Sequence, residues 1–144
     1  MRRKNMNKLL FLSFILSAVL YASPTACPQF YLDGEAPTIT NEKLSAKTKE
    51  LCFEAFGVMH SGISKTPLWS AEYLTAVAID ADVSRKDKFH EETQLPQSER
   101  SELKDYAKSG YDRGHMSPSA DMPTESAQAE SFSLANMVPQ DFYI

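Results

Sequence analysis

The 144-residue sequence predicts an α+β domain built around an antiparallel sheet, and three observations carry that prediction. Two segments rich in apolar and aromatic residues, Leu51 to His60 and Leu68 to Leu74, are separated by Ser61-Gly62 and Thr66-Pro67, the pattern of an antiparallel hairpin with a connection of several residues. Short helical patterns cover Ser98 to Ala107 and Thr124 to Glu130. A last strand pattern, Phe132 to Val138, alternates Phe132, Leu134 and Asn136 against Ser133, Ala135 and Met137.

Taken in order, the chain opens with Arg2, Arg3, Lys4 and Lys8 and no acid, followed by an apolar run of about 13 residues from Leu9 to Tyr21 and the small pair Ala22-Ser23. That tripartite layout predicts a cleavable secretory signal over residues 1–23 and a periplasmic or secreted protein. The run is short of the roughly 20 apolar residues a spanning helix needs, so no membrane association is expected after cleavage. Residues 28–41, with Pro, Gly, Thr and Asn, read as an irregular arm. Asn41 to Lys49 has room for a short helical turn, and Ala76 to Ala81 stays open between strand and helix. Charge dominates residues 82–109. In the helix predicted after Ser98, Leu103, Tyr106 and Ala107 share an inner face, and Ser109-Gly110 ends it. Gly114, Pro118 and Pro123 make residues 110–123 a structured loop, and Thr124 caps the next helix.

The net charge is −4, and removing residues 1–23 takes away four Lys/Arg and no acid, leaving −8. That sign is wrong for a protein held to nucleic acid by its overall field. Any nucleic-acid function therefore rests on a local site with a metal ion and a few arginines. Cys27 and Cys52 both follow the predicted leader, and two thiols without histidine company most simply form one disulfide, worth roughly 2–4 kcal/mol.

The chemistry concentrates in Tyr111-Asp112-Arg113-Gly114-His115-Met116. A histidine titrates near neutrality and suits a base that activates water. Arg113 offers a rigid fork of donors for phosphate oxygens, and Gly114 removes a side chain where backbone and substrate approach. Asp112 is placed to orient a neighbour or cap the loop. The bland readings are a turn histidine and an Asp112–Arg113 surface ion pair of little consequence.

The segment Asp112-Arg113-Gly114-His115-Met116-Ser117-Pro118-Ser119-Ala120 resembles the signature of the DNA/RNA non-specific endonucleases, the ββα-metal nucleases of the Serratia-nuclease type. Thr66 to Leu74, Asp105-Tyr106 with Ser109-Gly110-Tyr111, and Ser131 to Gln140 are similar to the segments flanking that signature, so the likeness spans roughly residues 50–141. The resemblance implies an enzyme that hydrolyses phosphodiester bonds of DNA and RNA without base preference, with Mg²⁺ as cofactor and Mn²⁺ as a substitute. His115 matches the general base, Arg113 the motif arginine at the phosphate, and Asn136 the asparagine of the Asn-x-x-Pro-Gln segment that organises the site. The alternative for Asn136 is a buried strand amide that satisfies backbone groups.

The resemblance also implies a helix after Pro139-Gln140-Asp141, bearing a metal-binding asparagine and a supporting glutamate. Here the sequence reads Phe142-Tyr143-Ile144, so neither residue is assignable. Residues 24–144 are thus expected to be an endonuclease domain lacking the C-terminal helix of its ββα core, with the apolar residues around Phe132 and Leu134 uncovered. The alternative functional expectation is a catalytically inactive nuclease fragment, or a periplasmic protein that associates with nucleic acid. Oligomeric state is left open.

Overall fold

The computed structural model describes residues 24–143; the predicted leader, residues 1–23, lies outside the described residues. The architecture is α+β, with two small antiparallel sheets and short helices. The first sheet has three strands in sequence order, β1 (Thr48–Cys52), β2 (Phe56–Ser61) and β3 (Thr66–Glu72). Its register pairs Leu51 with Val58 and Val58 with Ser70, and a bulge falls between Met59 and His60. The second sheet pairs β4 (Asp112–His115) with β5 (Met137–Gln140).

The expected hairpin is present, but the segment 51–60 is two strands rather than one. Phe53 N–H donates to the Phe56 carbonyl at 2.9 Å, closing a turn in which the two rings stack at 4.6 Å. That stacking puts both rings into the core with Leu51, Val58, Leu95, Met122, Ala127 and Ala135. The run is largely apolar on both sides of the turn, whose one mark in the sequence is the exposed Glu54.

Four helices are short. The first, α1 (Glu42–Ser45), starts at Asn41, whose Oδ1 accepts from Lys43 N–H. Ala76–Ile79 forms α2, resolving that segment as helix. The helix predicted from Ser98 shrinks to α3 (Leu103–Tyr106) behind a separate turn at 97–99. Its supposed inner face is not inner, since Leu103 and Ala107 are exposed and Tyr106 is half-buried. The longest, α4 (Glu125–Ser131), is capped by Thr124 Oγ1, which accepts from Ala127 N–H at 3.0 Å. The same hydroxyl donates to Glu54 Oε1 at 2.6 Å, and Ser126 Oγ donates to Glu54 Oε2, so a carboxylate from the β1–β2 turn sits at the positive end of α4.

Two further expectations change. Residues 132–138 are not one strand: Phe132 ends α4, a tight turn occupies Leu134–Asn136, and only then does β5 begin. The turn is set by Ser133, whose Oγ accepts from Ala135 N–H. Nor is the apolar stretch uncovered. Phe132, Leu134 and Met137 are fully buried by the chain's own residues. Among the described residues no helix follows β5.

Candidate active site

The β4–β5 ladder sets the site. Arg113 and His115 are two residues apart on β4, so the period-2 alternation of a strand projects them to one face. Both meet the Phe89 ring: the Arg113 guanidinium lies 4.2 Å above its centroid, and the His115 ring centroid is 5.8 Å away. His115 also stands edge-on to Phe132 at 4.9 Å, and Phe132 stands edge-on to Phe89 at 5.0 Å. Above Phe132, on its own cation–π contact of 5.3 Å, lies Arg85. Arg85, Phe89, Asp112, Arg113, His115 and Gln140 line a cavity of about 380 Å³.

Each member is held from behind. Gln128, buried on α4, accepts from Lys86 N–H at 2.9 Å and donates to the Val83 carbonyl at 3.0 Å, fixing the backbone on both sides of Arg85. Arg85 itself donates to Asp87 Oδ1 at 2.5 Å and to Ser119 Oγ at 3.1 Å. Gly114 lies between the two strand residues because a Cβ there would fall 2.6 Å from Gln140 Oε1. Phe89 is placed by its neighbour His90, which exchanges backbone hydrogen bonds with Phe132 and Leu134 at 3.2 and 2.8 Å.

Asn136 is fully buried and binds only backbone groups. Its Oδ1 accepts from Ser117 N–H, and its Nδ2 donates to the Ser117 and Ser131 carbonyls, all at 2.9 Å. Its own carbonyl accepts from Met116 N–H at 2.9 Å. The amide therefore ties the residues following His115 to the end of α4. The ion pair between Asp112 and Arg113 is not formed among the described residues.

The electrostatics favour an anion. His115 Nε2 is buried and has no hydrogen-bond partner. Burial, and then the Arg85 charge, push the imidazole down to about 4, with Asp87 pulling weakly the other way. The ring is thus neutral near pH 7, and the unsatisfied atom beside two guanidinium groups invites a phosphate oxygen or a water on the way to one. An arriving anion would offset the Arg85 field and raise the basicity of His115.

Sequence reasoning identified Arg113, His115 and Asn136 but missed Arg85 and Phe89. They lie in the charged stretch 82–109, where no periodicity marks them. The available signal was Phe89 itself, the one aromatic residue between Tyr73 and Tyr106.

The expected Mg²⁺ or Mn²⁺ is corrected. Among the described residues, the one cluster of three potential ligand atoms is Cys27, Glu50 and Cys52. Cys27 and Cys52 are joined in a disulfide, as the pairing of the two thiols predicted. A disulfide offers no thiolate, and these hard ions want oxygen ligands in number. The remaining carboxylate of Glu50 already accepts from Thr25 Oγ1 at 2.6 Å, Ala26 N–H at 2.9 Å and Tyr31 Oη at 3.1 Å. That cluster, the one found among the described residues, does not fit a divalent cation.

Comparison with known proteins agrees with this geometry. The DNA/RNA non-specific endonuclease family profile matches residues 35–142. A nuclease of Syncephalastrum racemosum is 46% identical over 76 residues, covering 50% of this chain and 24% of its own length. The human mitochondrial nuclease EXOG is 34% identical over 115 residues, 76% of this chain and 31% of its own. The crystal structure of an EndoG/EndoGI complex, which concerns EndoG inhibition, superposes with a TM-score of 0.58 at 29% identity over 72% of this chain and 47% of that one. The chain thus spans less than half the length of these relatives.

The relatives also correct the expected periplasmic or secreted setting, because EXOG of Danio rerio and of Homo sapiens are mitochondrial nucleases. The physical reason is that a basic, acid-free amino terminus is shared by secretory signals and organellar import segments. Among the described residues no helix is long and apolar enough to cross a membrane. With the signature strand, the arginine–histidine face and the profile match in agreement, the chain belongs to the DNA/RNA non-specific endonuclease family.

Proposed function

We propose that residues 24–144 form a nuclease domain that grips the phosphodiester backbone of DNA and RNA, and that this chain by itself does not turn over as a nuclease. The single observation behind the reading is the cavity at His115. Two guanidinium groups flank a neutral imidazole whose Nε2 has no partner, while no three-ligand cation site survives among the described residues. Arg113 and Arg85 supply charge-assisted donors to phosphate oxygens, and Asn136 holds the segment after His115. Contacts of this kind position a strand without reading its bases, which fits DNA and RNA alike.

A second reading, hydrolysis, is favoured by the same free Nε2. His115 would accept the proton of an attacking water while Arg113 holds the phosphate. One experiment separates the two. Purified protein is mixed with labelled single-stranded DNA and RNA at two salt concentrations, and with supercoiled plasmid beside the Syncephalastrum racemosum nuclease, with and without chelator. The proposal expects salt-sensitive binding of both polymers, weakened by Arg113→Ala, and no nicking. Chelator-sensitive nicking within tenfold of the comparison nuclease, abolished by His115→Ala, would overturn it in favour of hydrolysis.

A further inference from the structure

A second cavity, of about 430 Å³, has no part in the reading above. Lys65, Ser101, Tyr106, Ser109, Tyr111 and Pro139 are among the residues that line it. It abuts the phosphate site along the same ladder, since Pro139 is the β-partner of Arg113. Tyr111 lies two residues before Arg113, about 7 Å along an extended chain, or two steps of 3.4 Å along a stacked nucleic-acid strand.

Most of its polar wall is internally engaged. Ser101 Oγ donates to the Lys65 carbonyl at 2.7 Å. Ser109 Oγ donates to the Tyr106 carbonyl at 2.9 Å and accepts from Tyr111 N–H at 3.2 Å, which fixes the turn presenting Tyr111. Three groups remain uncommitted. Tyr106 Oη is buried with no hydrogen-bond partner. Tyr111 is 52% exposed and lines the cavity. The Lys65 ammonium makes no hydrogen bond or ion pair among the described residues. Burial pushes the Tyr106 phenol up, the Arg113 charge pulls it back, and Asp105, which also lines the cavity with its carboxylate accepting from Glu102 N–H, raises it again.

An aromatic face, a lone buried hydroxyl and a free cation are complementary to one nucleotide. We infer that this cavity is a nucleobase subsite. A base one or two nucleotides from the phosphate held at Arg113 stacks on Tyr111 and hydrogen-bonds Tyr106 Oη, and a flanking phosphate meets Lys65. Stacking is sequence-tolerant because every base has a π-face, so such a subsite adds affinity for unpaired strands without conferring base specificity. The inference rests on the phosphate-gripping reading and deepens it.

The test uses the full chain with two probes of equal length and charge, an eight-residue oligothymidylate and its abasic deoxyribose-phosphate counterpart. The wild type is expected to bind the thymidylate about tenfold more tightly, within the range that base–aromatic stacking provides. Tyr111→Ala should abolish that preference while leaving abasic binding unchanged, and Tyr111→Phe should keep it. Lys65→Gln should lower the salt slope for both probes by about 0.7, one phosphate contact on a single strand. Equal wild-type affinity for the two probes would overturn the base subsite while leaving phosphate binding intact. Failure to bind either would overturn both readings. Tyr111 is half-exposed, so circular dichroism of the variants is expected to match wild type; a Tyr111→Ala protein that folds and still prefers thymidylate refutes the assignment.

Discussion

Replacing Asn136 tests whether its amide holds the segment after His115. The side chain is fully buried and makes three hydrogen bonds of 2.9 Å, all to backbone. Asn136→Ala strands the Ser117 N–H without an acceptor, at about 1–3 kcal/mol. The two carbonyls each lose one donor and the removed atoms leave a void, so the total is about 2–4 kcal/mol. A domain of about 120 residues unfolds with an entropy near 0.25 kcal/mol/K, so this range is about 8–16 °C in Tm. Asn136→Asp sharpens the test. Its second oxygen, in place of Nδ2, would face the Ser117 and Ser131 carbonyls. Burial and that repulsion raise the pKa of the new carboxyl above its unfolded value of about 3.9. A group with a raised folded pKa contributes stability at low pH that is lost as pH rises through that pKa. Asn136→Asp should therefore be closer to wild type at pH 4.5 than at pH 8, while Asn136→Ala should show no such dependence. Urea melts at both pH values, with phosphate-backbone binding measured beside them, decide the matter. A loss below about 1 kcal/mol for Asn136→Ala, with an Asn136→Asp protein indifferent to pH, would refute the clamp.

Reducing the Cys27–Cys52 bond opens a loop of 25 residues, which loop entropy values at about 3.5 kcal/mol. Thermal melts with and without reductant should differ by about 10–15 °C; a difference under 4 °C would mean that the Glu50 hydrogen bonds alone hold the arm. Arg85→Gln removes a repelling charge from His115 and frees Asp87, so the imidazole should titrate above about 4. A depressed histidine pKa costs stability as pH falls from about 6.5 toward 4, so the variant should also be less acid-sensitive; NMR titration still near 4 would assign the whole shift to burial. Glu72 is pushed up to about 7 by burial and then by Asp121, and its Oε2 has no partner. Glu72→Gln should stabilise the protein at pH 8 and do little at pH 5, where the wild-type carboxyl is already protonated; equal effects at both pH values would contradict a raised pKa.

The site was partly legible because some signals are local. Arg113 and His115 are two residues apart, so any strand through them puts them on one face, although the strand itself replaces part of the loop expected over 110–123. The cap at Thr124 was readable for the same reason, since Thr124 Oγ1 reaches only three residues ahead. The ends of the elements were not. Leu51 to His60 is mostly apolar, so the turn is marked there only by the exposed Glu54, and the helix expected over 98–107 shortens with Leu103 and Ala107 left exposed. Asn136 was named as a site residue, but its being surrounded by backbone groups depends on a turn at 134–136 that alternation disguised as a strand.

By itself, the sequence determined the fold class, the family, the disulfide partners and the two-residue spacing of Arg113 and His115, which the structure places on strand β4 where a loop over 110–123 was expected, because each is encoded in residue type or short spacing. Only the tertiary structure decided what surrounds that strand. Arg85 and Phe89 reach it across more than 20 residues of charged chain, and the aromatic contacts that seat them depend on where α4 and the 134–136 turn place Phe132. The neutral state of His115 belongs to the same class of fact. A pKa is set by burial and by the charges that folding brings near, and neither is written in the order of the residues.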